Sequence, residues 1–203
     1  MTGASKPGAL LLGTRNRGKM REVLSILGDL PVEVVLRDDL PEMAEDGATF
    51  EENAIAKALA YSRWSGMPTL AEDSGLEVDA LEGRPGVRSA RFAGEDATDQ
   101  ANVRLLLREM DGVPEARRTA RFRCVAAFVV PGRVPITAGG ALEGRIGLVP
   151  AGSGGFGYDP VFYPDGWTRT VAECEPEAKN AVSHRGRAIR AIRPAIHAWA
   201  EGR

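Results

Sequence analysis

The opening of the chain constrains the fold most. Residues 9–13, Ala-Leu-Leu-Leu-Gly, form a short apolar run of strand length. A polar turn follows, and then apolar residues at 20, 23, 24 and 27, a helical stripe over Arg17–Gly28. The chain therefore starts as strand, polar turn, helix. Residues 32–36 read as a second strand. Thr49 to Ser65 reads as a helix, with Thr49 and Glu52 as a capping box and Phe50, Ala54, Ala58 and Tyr61 near one face. Residues 69–71 and 75–81 read as two extended pieces joined by a turn at Asp73-Ser74-Gly75. Asp96 or Thr98 caps a helix to Met110 whose core face is Val103, Leu106, Leu107 and Met110. Residues 119–130 suit one long strand, and 134–149 read as further strand with glycine turns. Ser183 caps a last helix with Ile189, Ile192, Ile196 and Trp199 inward and a bend at Pro194. Strands and helices mix without strict alternation. The predicted class is α/β, a mixed sheet flanked by helices in one domain over 1–203.

Charge narrows the partners. Lys and Arg total 26 against 28 Asp and Glu, a formal net charge of -2. That balance argues against bulk binding to nucleic acid or an anionic membrane, while leaving room for a local anion pocket. No apolar run approaches the roughly 20 residues that span a bilayer. The N-terminal stretch has no apolar segment of signal-peptide length. The two cysteines, Cys124 and Cys174, fit a reducing compartment. A cytoplasmic location is the expectation.

Four stretches carry candidate chemistry. Gly13-Thr14-Arg15-Asn16-Arg17-Gly18-Lys19 lies between strand and helix, where backbone N–H groups and Lys19 can cradle phosphate. Its spacing matches a P-loop except at Met20, where Ser or Thr should hold magnesium. A plain turn with solvated cations fits the same pattern. Glu72 and Asp73, with Ser74 next to them, place two carboxylates after an apolar strand. Hard oxygen ligands there suit Mg2+ shared with substrate phosphates, or a base for water; a charged turn is the alternative. Glu45 and Asp46 form a further acidic pair, equally readable as a solvated loop. Gly152 to Pro160 holds Phe156, Gly157, Tyr158 and Asp159 among glycines. A purine stacked on Phe156 would gain roughly 1–3 kcal/mol; a glycine-rich hairpin with Phe156 and Tyr158 inward is the alternative. Lastly, Lys179, His184 and Arg185 gather near the start of the last helix, either as donors to one acceptor group or as a solvated face. Phosphate cations, carboxylates and a stacking ring are together the parts a nucleoside triphosphate needs.

The whole set resembles the inosine triphosphate pyrophosphatase family (Ham-type dITP/XTP diphosphatases). The matching pieces, in order, are GTRNRGK, TFEENAIAKA, AEDSGLEVDAL, GRPGVRSARFAGEDATDQAN, GGFGYDPVF and EAKNAVSHRGRA, from about Leu10 to Ile192. The resemblance implies an elongated two-lobed α/β fold around a central cleft, a homodimer and a Mg2+ requirement. The implied activity is hydrolysis of ITP, dITP and XTP to the monophosphate and pyrophosphate. By position, Thr14 to Lys19 would wrap the phosphates and Lys57 would add a cation. Asp73 would be the general base near the metal, and Ser74 would touch substrate. Phe156 to Asp159 would line the base pocket, completed by Lys179, His184 and Arg185. Two departures stand out. Ala44-Glu45-Asp46-Gly47-Ala48 is shifted against the usual acidic loop, which leaves Glu45 or Asp46 as the metal ligand, with Glu45 preferred. Glu72 replaces a more usual Asp. The metal set is then Glu45, Glu72 and Asp73. Two rivals remain: a P-loop NTPase and a non-catalytic nucleotide-binding module.

Overall fold

The computed structural model describes residues 8–202. Residues 1–7, part of the stretch read for a leader, lie outside the described residues, as does residue 203. Strand β1 (Gly8–Leu12) leads through the polar turn to α1 (Arg17–Leu27) and on to β2 (Val32–Val35). Asn16 caps α1 by accepting the Lys19 N–H at 3.0 Å, and Gly28 ends the helix at φ 56°. Helix α2 (Phe50–Ser65) then crosses to β3 (Thr69–Val78). Helix α3 (Asp99–Glu109) precedes the long strands β4 (Thr119–Val129) and β5 (Ile136–Ile146). A short β6 (Phe162–Pro164), α4 (Pro176–Val182) and α5 (His184–Glu201) complete the chain.

The six strands form one mixed sheet in the order β2-β1-β3-β4-β5-β6. Strand β1 runs parallel to β2 and β3, and the remaining neighbours are antiparallel. Helices cover both faces. Ala54 and Ala58 of α2 pack on Ala71, Ala127 and Val129, while α1 and α5 cover Leu10, Leu70, Ala126 and Phe128 on the other face. Ile189, Ile192 and Ile196 of α5 are buried there as the periodicity predicted, each stabilising the layer by about 1.5–3 kcal/mol. Pro194 lies within α5, which continues as one helix from His184 to Glu201. A second core stands on the far ends of the same strands. There Leu76, Val78, Phe122 and Leu142 meet Val103 and Leu106 of α3 and Met110 at its C-terminal cap. The two cores are two lobes that share β3 and β4.

Two predicted turns are strand instead. Asp73-Ser74-Gly75 runs straight through β3, paired with Val125-Cys124-Arg123 of β4. Gly75 serves close approach rather than a turn. A Cβ there would overlap Ser89 Oγ and lie 2.5 Å from the Gly86 carbonyl oxygen. The glycines expected as turns in 134–149 also lie in line, since Gly139, Gly140 and Gly144 all pair across the sheet. The α2 start departs from the expected capping box. Thr49 accepts the Glu52 N–H, but Glu52 accepts the Ala48 N–H rather than that of Thr49. Thr98, not Asp96, caps α3.

Adjacent glycines in β5 give a direct check. A Cβ at Gly140 would overlap the His184 carbonyl oxygen and lie 2.7 Å from the Ala188 nitrogen, whereas at Gly139 the nearest atom is 3.8 Å away. Gly140→Ala is therefore expected to cost about 1–3 kcal/mol by overpacking, and Gly139→Ala less than about 0.5 kcal/mol. Urea unfolding of both variants measures the difference; equal losses would contradict this packing.

Candidate active site

Along β3 the side chains alternate between faces. On the face covered by α1 and α5, Leu70 belongs to one core and Leu76 to the other, and Glu72 and Ser74 fall in the gap. Asp73 points to the opposite face, toward α2. Both carboxylates are 3% exposed, so each needs a cation.

Helix α2 supplies the partners of Asp73. Asn53 Nδ2 donates to Asp73 Oδ2 at 3.1 Å, and one turn on Lys57 Nζ donates to Oδ1 at 3.2 Å. Lys57 Nζ also donates to Glu45 Oε1 at 2.7 Å, so Glu45 and Asp73 share one ammonium. Arg91 fixes the Glu45 loop by donating to the Glu45 carbonyl oxygen at 2.7 Å. Asp46 is exposed. Between the two acidic candidates, the structure turns Glu45 inward.

Glu72 is held from the other side. Lys19 Nζ lies 3.2 Å and Arg185 Nε 3.6 Å from Glu72 Oε1, and Cys124 Sγ donates to Oε2 at 3.3 Å. Arg185 also donates to Ser74 Oγ at 2.7 Å and pairs with Glu22. Glu22 takes Lys179 Nζ at 2.7 Å as well, and Asp159 pairs with the same ammonium. Lys179 Nζ stands 4.8 Å and Arg185 Cζ 5.6 Å from the Phe156 ring centroid. Gly18 backs that ring: a Cβ there would come within 2.9 Å of Phe156 Cδ1.

Charge states follow from these surroundings. Burial pushes Asp73 upward, Lys57 and Lys19 pull it back, and the net lies above the ordinary 3.8. Burial would raise Glu72 too, but Lys19, Arg185 and Lys57 prevail and hold it well below the usual carboxylate range. Lys57, despite burial, is raised to about 12 by Asp73, Glu45 and Glu72. Burial, reinforced by Arg185 and Lys179, keeps His184 well below 6.5 and therefore neutral. Its ring stacks on Phe122 at 4.9 Å.

Two adjoining cavities result. A cleft of about 1110 Å³ is lined by Thr14, Arg15, Asn16, Lys19, Glu45 and Lys57, among others. A narrower cavity of about 100 Å³ runs past Asp73 and Ser74 to Phe156, Gly157, Tyr158, Asp159, Lys179, His184 and Arg185. Asn16, Lys19 and Glu45 line both. The structure thus places most of the predicted site residues on the walls of two adjoining cavities. Arg17, Gly18 and Glu72 are the exceptions: none of them lines either cavity, and Arg17 is exposed. Tyr158 is largely core, its hydroxyl donating to the Ser89 carbonyl oxygen at 2.9 Å. Among the described residues no three His, Cys, Asp or Glu side chains cluster as metal ligands. Strand alternation turns Glu72 away from Asp73, and the oxygens that converge are those of Glu45 and Asp73.

The sequence reading missed Glu22 as the counter-ion of Lys179 and Arg185. Its position three residues after Lys19, on one helix face, was the available signal. It also gave Asn53 no role; a polar residue among Phe50, Ala54 and Ala58 on the buried face of α2 marked it.

The neutral state of His184 is testable. Unfolded His takes a proton near 6.5 and the buried ring does not, so stability is lost as pH falls through that value. NMR of the folded protein should show no His184 titration from about pH 8 down to about pH 5.5. A midpoint near 6.5 would contradict the described burial.

Comparison with known proteins places this architecture. Residues 10–195 match the model of the Ham1 family. A dITP/XTP pyrophosphatase of Geobacter sulfurreducens is 53% identical over 183 residues, covering 89% of this chain and 92% of that protein. One from Geobacillus kaustophilus is 51% identical, covering 89% and 90%. The solved structure of a HAM1 protein from Coxiella burnetii superposes with a TM-score of 0.85 at 38% identity, over 93% of this chain and 98% of that one. The chain belongs to the Ham1 family.

Proposed function

We propose that this chain hydrolyses the non-standard purine triphosphates dITP, XTP and ITP to the monophosphate and pyrophosphate. It thereby keeps deaminated purines out of nucleic acid. The observation that carries this reading is the pair of adjoining cavities, one cation-lined at Lys19 and Lys57 and the other aromatic at Phe156. The relatives' names point the same way.

The triphosphate, with about four negative charges, lies along Thr14 to Lys19, where the α1 start and the Lys19 and Lys57 ammonium groups meet its charge. Asp73 orients the attacking water and takes its proton. Burial raises its basicity, and Asn53 and Lys57 fix its orientation. Phe156 stacks the base. The first-turn amides of α5, at His184 and Arg185, have no helix partners of their own and face a carbonyl at purine position 6. The Arg185 guanidinium is occupied by Glu22, Ser74 and Glu72, so these amides do the reading. Adenine sets an amino donor against them, and the unpaired donors disfavour it.

The donor set fits Mg2+. Glu45 and Asp73, which share the Lys57 ammonium beside the cleft, would hold the ion, since Mg2+ favours one or two carboxylates plus substrate phosphates. Such an ion would supply neutralisation of phosphate charge and polarisation at phosphorus. Glu72 stands behind Lys19 as its counter-ion. On the same reading the protein is a cytoplasmic homodimer that acts on a free nucleotide. Among the described residues no helix is long and apolar enough to cross a membrane.

The test is product analysis with ITP, XTP, dITP, ATP and GTP in Mg2+. Pyrophosphate from the first three is expected. Orthophosphate from ATP or GTP would favour a P-loop-type enzyme, and binding without turnover a non-catalytic module. Asp73→Asn is expected to abolish turnover while keeping ITP binding; a wild-type rate would remove Asp73 as the base. Phe156→Ala should weaken ITP binding by roughly 1–3 kcal/mol, and unchanged affinity would remove the stacking role.

A further inference from the structure

One contact in the narrower cavity joins segments far apart in the chain. Asp99 Oδ2 accepts the Gly157 N–H at 2.7 Å, across 58 residues. The preceding amide is held as well: Phe156 N–H donates to Asp159 Oδ2 at 2.9 Å. The peptide units on both sides of the Phe156 Cα are therefore each tied to a carboxylate. Two fixed peptide planes fix the backbone dihedrals of Phe156, and these set the direction in which its ring leaves the chain. Gly157 needs such restraint, because at φ 61° a glycine gains no preference from its own side chain.

The two carboxylates come from different supports. Asp159 is local and buried. Asp99 is the exposed first residue of α3, and that helix start is firmly anchored. Thr98 caps it, and Asn102 accepts the Ala93 N–H at 2.8 Å while donating to the Ala90 carbonyl oxygen at 3.0 Å. A carboxylate at a helix N-terminus is common for local reasons alone. The Gly157 contact goes further, because it ties the base-facing loop to a helix 58 residues earlier in the chain. Asp99 lines the narrower cavity but not the phosphate cleft.

We propose that Asp99 is a positioning residue for base recognition: it holds the Gly157 amide and so aims the Phe156 ring at the purine. This rests on the functional reading above, in which Phe156 stacks the base. Asp99 touches neither the phosphates nor the reacting atoms. Its loss should therefore be felt in the base-dependent part of binding and not in the phosphate-dependent part.

The experiment compares wild type, Asp99→Ala and Asp99→Asn, using ITP as substrate and inorganic tripolyphosphate as a competitor without a base. Circular dichroism establishes that each exposed-site variant is folded. Asp99→Ala is expected to raise KM for ITP about tenfold, with a smaller effect on kcat. Asp99→Asn, whose amide oxygen can accept the same N–H, should stay close to wild type. The inhibition constant of tripolyphosphate should be the same for all three. The proposal is overturned if Asp99→Ala keeps the wild-type KM. It also fails if tripolyphosphate weakens in parallel with ITP, or if Asp99→Asn is as impaired as Asp99→Ala. A wild-type protein that turned over no ITP would instead sink the functional reading, and this proposal with it.

Discussion

Two neighbouring carboxylates in the middle of a buried strand must both be neutralised, and the pleat sends them to opposite faces of the sheet. An unpaired buried carboxylate costs several kcal/mol, far more than a surface ion pair returns. Asp73 therefore draws Lys57 and Asn53 from α2, and Glu72 draws Arg185 from α5 and Lys19 from α1. Three helices are thus oriented on β3 by charge as well as by apolar packing. Lys19, at the start of α1, approaches both acids, lying 3.9 Å from Asp73.

This pairing also explains why the cleft suits a polyanion. Its lysines are held in place by carboxylates, so they are positioned before any phosphate arrives, and ordering them costs the ligand little. The gap between the two cores keeps the acids buried yet beside open space. At the far end the same logic repeats. Glu22 and Asp159 neutralise Lys179 and Arg185, and these cations face the Phe156 ring. One network of alternating charge runs from the phosphate cleft to the base cavity.

Much of this was legible in the sequence because it is written in local pattern. The α1 and α5 stripes, the Thr49, Thr98 and Ser183 caps and the long β4 run each follow from periodicity and capping. The misreadings share one cause. Asp73-Ser74-Gly75 has turn composition, yet it is strand, because Gly75 meets the Ser89 region and the acids meet cations from distant helices. Gly139, Gly140 and Gly144 mislead in the same way. Glycine in a strand can mark close approach as readily as reversal, and only tertiary structure separates the two. The cleft residues were recognisable as types, but their partners were not. Glu22 with Lys179, and Asp99 with Gly157, meet only when the chain folds.

The most direct measurement is a crystal structure with a non-hydrolysable inosine triphosphate analogue. The base should lie on Phe156 with its carbonyl toward the His184 and Arg185 amides, and the phosphates should run beside Lys19 and Lys57. A nucleotide bound outside these two cavities, or reversed so that its base sat at Lys19, would contradict the site described.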